Sequence, residues 1–220
     1  MRDHRGIQAL AIGTCTISVV IASWVLGWID VAPRPSGTLH QKIGQALAQE
    51  ALAHAGSGGR VVVFARDTSE FEQPAMDLAL RSFTTEMQKS GHPVTDLRLV
   101  AEDPLRPIHI PEGDLFDVLR KSSKGDVVVS LMGPALLAED QRLALGTPKA
   151  SVIAFCPGSS AEIMDPAQLA SMGLLHGGVL ALSPSSDPKQ PNKTPDSFEV
   201  LYRRMDSKAL LQKPQPKGRP

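Results

Sequence analysis

The sequence predicts an α/β fold: a doubly wound, mostly parallel sheet in three layers, flavodoxin-like or Rossmann-like, preceded by one transmembrane helix. Three observations carry this. The run Val61-Val62-Val63-Phe64-Ala65 is unbroken, apolar and flanked by turn residues, and two similar runs follow at Val127-Val128-Val129-Ser130-Leu131 and Ser151-Val152-Ile153-Ala154-Phe155. Short β-branched runs of this kind read as strands covered on both faces, the habit of parallel sheets. Stretches with helical period separate them, and alternation of strand and helix over about 150 residues is the α/β pattern. The third observation is that residues 6–29 carry no charge and are dominated by Ile, Leu, Val, Ala and Trp.

At about 1.5 Å per residue a helix over 6–29 reaches roughly 34 Å, enough for a bilayer core of about 30 Å. Trp24 and Trp28 fall near its far end, where indole favours the membrane boundary. A cleaved signal peptide is the rival, but its apolar core is shorter and Asp30-Val31-Ala32-Pro33 is a poor cleavage site. Arg2 and Arg5 precede the span, so the positive-inside rule puts residues 1–5 in the cytoplasm and the rest outside, in the periplasm. The lipid bilayer is thus an expected partner through residues 6–29.

Residues 30–58 are expected to form a linker and an amphipathic helix. Thr38 can cap that helix over 39–55, with Leu39, Ile43, Ala46, Leu47 and Ala51 along one stripe. It can pack on the domain or serve as a stalk. The α/β domain is expected over 59–205. After the first strand, helical period runs through 72–90, with Pro74 in the first turn and Gly91 at the end. Residues 93–100 alternate with period two, as in a strand near a sheet edge. Residues 103–111 hold three prolines and read as a connection, and 112–124 as a short helix. Helices are expected over 136–145 and 165–175, the latter capped by Asp165. Residues 176–182 read as a strand, 183–195 as a connection, and 198–203 as an extra edge strand. The Pro- and Lys-rich stretch 206–220 is expected to be disordered. Among right-handed topologies the order 2-1-3-4-5 is the commonest at this size.

Composition excludes some functions. Twenty-three basic and 23 acidic side chains cancel, which argues against nucleic acid as a partner held by bulk charge. Aromatic residues make up only 4%, too few for stacking platforms. The two cysteines, Cys15 and Cys156, lie in the membrane segment and at a strand end, so no internal disulfide is expected.

From Arg60 to Ser183 the chain resembles one lobe of the type I periplasmic sugar-binding proteins. The resemblance rests on the first strand with Ser69-Glu70-Phe71 and its long helix, on Gly91-His92-Pro93-Val94, and on Gly125-Asp126-Val127-Val128-Val129-Ser130. It implies a small-ligand binding module rather than an enzyme. Two departures stand out. The chain is too short for a second lobe, so no closing cleft is expected within one molecule. The first loop offers Arg66-Asp67-Thr68 in place of the family's Asn-Pro-aromatic sequence.

In such a sheet, sites form beyond the carboxyl ends of the strands. The candidate ligand-binding residues there are Arg66, Asp67, Thr68, Ser130, Gly133, Cys156 and Ser159, with Gly158 and Ser183 nearby. Arg66 and Asp67 can grip an anion or a hydroxylated ligand, or form an ordinary surface pair. Cys156 becomes a nucleophile only beside a base or a positive field, and buried packing is the alternative. The glycines at 56–59 precede a strand, whereas phosphate cradles follow one. The histidines are scattered without metal-ligand spacing, and no Gly-x-Ser-x-Gly occurs. No catalytic residue, metal or cofactor is assigned. The expected function is a non-catalytic binding or scaffolding module with a protein partner or a small ligand. A sugar-like sensor domain and an enzyme using Cys156 or the Arg66/Asp67 loop are the alternatives.

Overall fold

The apolar runs lie side by side at the centre of a mostly parallel sheet. The computed structural model describes residues 37–70, 72–101, 110–134, 136–157, 165–182 and 198–211. The membrane segment expected at 6–29 lies outside these residues, as do Ser159 and Ser183. Among the described residues no helix is long and apolar enough to cross a membrane. The strands are β1 (Val61–Arg66), β2 (Asp96–Val100), β3 (Val127–Ser130), β4 (Ser151–Cys156), β5 (Gly177–Ala181) and β6 (Tyr202–Asp206). They run in the order β2-β1-β3-β4-β5-β6, with β6 alone antiparallel to its neighbour. The first five reproduce the expected 2-1-3-4-5.

Successive side chains of a strand point to opposite faces, and here each face meets its own helices. One layer consists of α1 (Gly37–His54) and α2 (Pro74–Lys89). Against it pack Val61, Val63, Val127, Val129, Ile153 and Phe155, together with Ile43, Leu47, Phe83 and Met87. The other layer holds α3 (Glu112–Arg120), α4 (Glu139–Leu145) and α5 (Pro166–Ser171). There Val62, Phe64, Val128, Val152 and Cys156 meet Leu115, Leu119 and Leu169. Each such fully buried side chain contributes about 1.5–3 kcal/mol relative to exposure.

Two glycine sites let backbones approach where a side chain would not fit. A Cβ on Gly44 would lie 2.2 Å from the Ala79 carbonyl oxygen, so glycine there lets α1 lie close on α2. A Cβ on Gly59 would lie 2.0 Å from the Gly125 carbonyl oxygen, which explains the Gly-rich run before β1 as a backbone crossing.

Several expectations change. Of the two roles open to the amphipathic helix within 30–58, packing on the domain and serving as a stalk, the structure shows the first: Ile43, Leu47, Ala48 and Ala51 are at most 1% exposed. The α/β unit therefore starts before residue 59. Residues 198–203 are not one strand. Phe198–Leu201 forms a helical turn, α6, before β6 begins. Phe198, Leu201 and Tyr202, spaced i, i+3, i+4, pack together on the α1 side, and that spacing selects the turn. The expected disorder from 206 onwards also starts too early. α7 (Ser207–Leu211) continues the fold and buries Leu210 on the opposite face.

Candidate functional site

The chain leaves β1 through α2 on one face of the sheet and leaves β3 through α4 on the other. The two connections diverge at the carboxyl ends of adjacent strands, and that divergence is the topological switch point where open α/β sheets form crevices. Arg66, Asp67 and Thr68 stand on one side and Ser130 to Gly133 on the other. Ser130 is level with Phe64 in the register, two residues below Arg66.

The β1 side is held from both directions. The Asp67 N–H donates to the Val100 carbonyl at 2.9 Å, joining the loop to β2. Thr68 Oγ1 donates to Asp77 Oδ1 at 3.0 Å, joining it to the first turn of α2. Asp67 Oδ1 accepts the Ser69 N–H at 3.0 Å, the turn-forming bond of an aspartate with the backbone two residues on. That bond and the Ser69 hydroxyl hold the Asp67 carboxyl below its ordinary value against a small opposing burial, so it is ionised at neutral pH. Arg66 is half-buried at the strand end.

The β3 side is turned inward. Ser130 is fully buried, and its Oγ donates to the Gly133 carbonyl at 2.5 Å while accepting the Met132 N–H at 3.2 Å. Gly133, at φ 110, supplies the turn that brings its carbonyl back. The Ser130 hydroxyl therefore shapes the loop rather than facing a ligand. Cys156, on β4, is fully buried among Phe64, Leu169 and Leu174 in the second core, and burial pushes its thiol up to about 12. A thiol so placed stays protonated at neutral pH. Ser159 lies outside the described residues. The structure thus places Arg66, Asp67, Thr68, Ser130 and Gly133 at adjacent strand ends and Cys156 in the core.

Two neighbouring cavities lie elsewhere. They measure about 340 and 270 Å³ and share Leu137, Arg142, Met172 and Leu174 between α4 and α5. Sequence reading missed them because α4 keeps no fully buried residue of its own to mark its inner face.

The amino end of the sheet holds buried charge that the sequence did not announce. Asp126 Oδ1 accepts the Arg60 N–H at 2.8 Å. Its Oδ2 accepts from Arg60 Nη2 at 2.8 Å and from the Ser123 N–H at 2.9 Å. Burial pushes the carboxyl up, but these hydrogen bonds and the Arg60 charge outweigh it, and the net shift is downward. Glu50 on α1 is buried and meets Arg204 Nε at 2.5 Å. Burial raises its pKa, Arg204 offsets part of that, and Asp206 adds to it. His54 and His176 stack edge to face at 6.1 Å, and His176 Nδ1 accepts the Val152 N–H at 3.0 Å. A Gly-Asp turn and histidines 122 residues apart gave no sequence signal for this cluster. Among the described residues no group of His, Cys, Asp and Glu is arranged to hold a metal.

No protein-family model matches the chain, and no curated protein matches it. Solved structures do show similarity. A periplasmic ribose ABC transporter from Conexibacter woesei overlaps 64% of this chain and 45% of its own, at 13% identity and TM-score 0.42. A carbohydrate transporter solute-binding protein from Agrobacterium radiobacter, in complex with D-arabinose, overlaps 66% and 47%, at 16% identity and TM-score 0.39. A structure from Mycobacterium smegmatis overlaps 79% and 59%, at 14% identity and TM-score 0.44. The chain spans about half the length of these structures. The fold assignment rests on the strand order and register above.

Proposed function

We propose that the α/β unit is a non-catalytic binding module that takes a small hydroxylated ligand of the sugar kind at the switch point between β1 and β3. In this reading, residues 6–29 anchor it in the membrane and the unit lies outside the cytoplasm. One observation carries the site. The Arg66–Thr68 segment supplies an ionised carboxylate, a hydroxyl and, on the preceding residue, a guanidinium, with its backbone and Thr68 fixed between β2 and α2 by Asp67–Val100 and Thr68–Asp77. A carboxylate accepts from hydroxyl groups and a guanidinium donates to them. A non-catalytic role is supported by the buried, protonated thiol of the nucleophile candidate Cys156 and by a Ser130 hydroxyl whose proton is committed to the Gly133 carbonyl.

The test is thermal unfolding of the full chain in mild detergent against a panel of aldopentoses and aldohexoses. Ligand at about a hundred times its dissociation constant adds about 2.7 kcal/mol, or roughly 5–10 °C for a domain of this size. The proposal expects such a shift with at least one sugar and its loss in D67N. No shift across the panel, or chemical conversion of a sugar that binds, overturns it.

A further inference from the structure

Among the described residues β2 is the last strand on its side of the sheet. Its carbonyl at Val100 accepts from Asp67, the residue after β1, and Arg66 pairs with Val100 in the register. Backbone N–H and C=O groups alternate from one edge of a strand to the other along the chain. Asp96 and Arg98 therefore share the inward direction of Val100, and the N–H and C=O of Leu97 and Leu99 point away from β1. The same two leucines are 47% and 54% exposed and lie on one face of the strand. An open edge with exposed apolar residues is a template for another strand. Proteins commonly guard such an edge with a net charge, but β2 carries one anion and one cation, paired at 3.0 Å between Arg98 Nε and Asp96 Oδ2.

We infer that β2 is a self-association edge, and that a second copy of this chain adds its own β2 antiparallel across a two-fold axis at Leu97. The charges choose this register. Outward-pointing residues must face one another, so the axis passes through Leu97, Arg98 or Leu99. Centred on Arg98, the two guanidinium groups oppose each other. Centred on Leu99, each Arg98 faces the partner's Val100. Centred on Leu97, each Asp96 faces the partner's Arg98 in a non-hydrogen-bonded pair, where Cα atoms are about 4.5 Å apart and side chains meet most closely. The four charges then alternate in sign, each beside an opposite charge in its own chain and another across the axis. On the other face Leu97 and Leu99 of both copies form one apolar strip. Leu97 exchanges two backbone hydrogen bonds with the partner's Leu97, and the two sheets become continuous. The interface is isologous, as a two-fold axis requires.

Site-directed cross-linking of the full chain in mild detergent, with Cys15→Ser to remove the thiol at position 15, tests the register. A hydrogen-bonded antiparallel pair has Cα atoms about 5.5 Å apart, within the range of a disulfide. L97C is therefore expected to form a disulfide-linked dimer on mild oxidation. L99C is not, because the two positions lie four residues out of register, roughly 13 Å apart. In the L97C background D96R gives an edge with two cations and R98E an edge with two carboxylates. Each alone is expected to lose cross-linking about tenfold or more. A mixture of the two is expected to recover it as a heterodimer, and that recovery also shows both variants folded. Absence of an L97C dimer, equal cross-linking of L99C, or failure of the mixture to exceed either variant alone overturns the inference.

Discussion

At the amino end of the sheet Asp126 is 4% exposed and takes hydrogen bonds from Arg60 and Ser123, while at the carboxyl end the half-buried Asp67 has its carboxyl held by Ser69 alone among the described residues. Both carboxylates are held ionised, for different reasons. Asp126 neutralises a desolvation cost by satisfying the backbone groups that start β1 and β3. Asp67 is spared most of that cost and keeps acceptor capacity. Among their neighbours, Glu50 is buried against Arg204 and the half-buried His54 and His176 lie against Asp206 and the Val152 N–H, whereas the half-buried Arg66 and Thr68 stand at a strand end. The contrast teaches that burial of charge in this fold marks where the chain is fastened, and partial exposure of fixed charge marks where it can meet a ligand.

The largest expected effect is at the fastening. D126A leaves the N–H groups of Arg60 and Ser123 without their acceptor and should lower unfolding stability by about 3 kcal/mol in urea titrations. A loss no larger than that of D67A would erase the comparison. S130A comes next, because it strips the buried Gly133 carbonyl and Met132 N–H of a partner. A cost of about 1–2 kcal/mol is expected in the same titration, with sugar binding retained.

Acid titration sharpens the amino end. Burial lowers the pKa of His54, partly offset by Asp206, and lowers that of His176, aided by His54. Groups with depressed folded pKa values contribute stability that is present above their unfolded value, near 6.5, and is lost as pH falls through the folded value. Glu50 acts in the opposite sense. Its raised folded pKa gives stability present below about 4.5 and lost as pH rises through the folded value. In H176N, whose amide oxygen can still accept the Val152 N–H, the loss of melting temperature between pH 6.5 and 5 should be shallower than in the wild type. An unchanged slope would remove His176 from the cluster's titration. The smallest effect on stability belongs to D67N, which should leave the melting temperature near that of the wild type.

Much of the fold was legible because its strands are apolar on both faces. Val61–Ala65, Val127–Val129 and Val152–Phe155 leave no other way to bury so many β-branched residues, and the helices between them fix a parallel order. α1 was harder to place, since the same stripe of Leu39, Ile43 and Leu47 suits a stalk or a core layer, and only Gly44 beside Ala79 decides it. The edge at 198–206 misled because Phe198, Leu201 and Tyr202 pack by helical spacing while Tyr202 also opens β6. For the site, chain position alone located the β1 loop. Position could not tell the outward Asp67 from the inward Ser130, because that depends on the Gly133 turn returning a carbonyl to the hydroxyl. Cys156 belongs to the same class: the sequence puts it at a strand end, and the alternation of faces puts its thiol in the core.

Hydrogen–deuterium exchange of the full chain with and without the sugar panel tests the central claim most directly, because it locates binding as well as detecting it. The account predicts added protection at the amides of residues 66–70 and 131–133, with the amides around Arg60, Ser123 and Asp126 unchanged. Protection confined to the α4–α5 cavities, or to the amino end of the sheet, would contradict it.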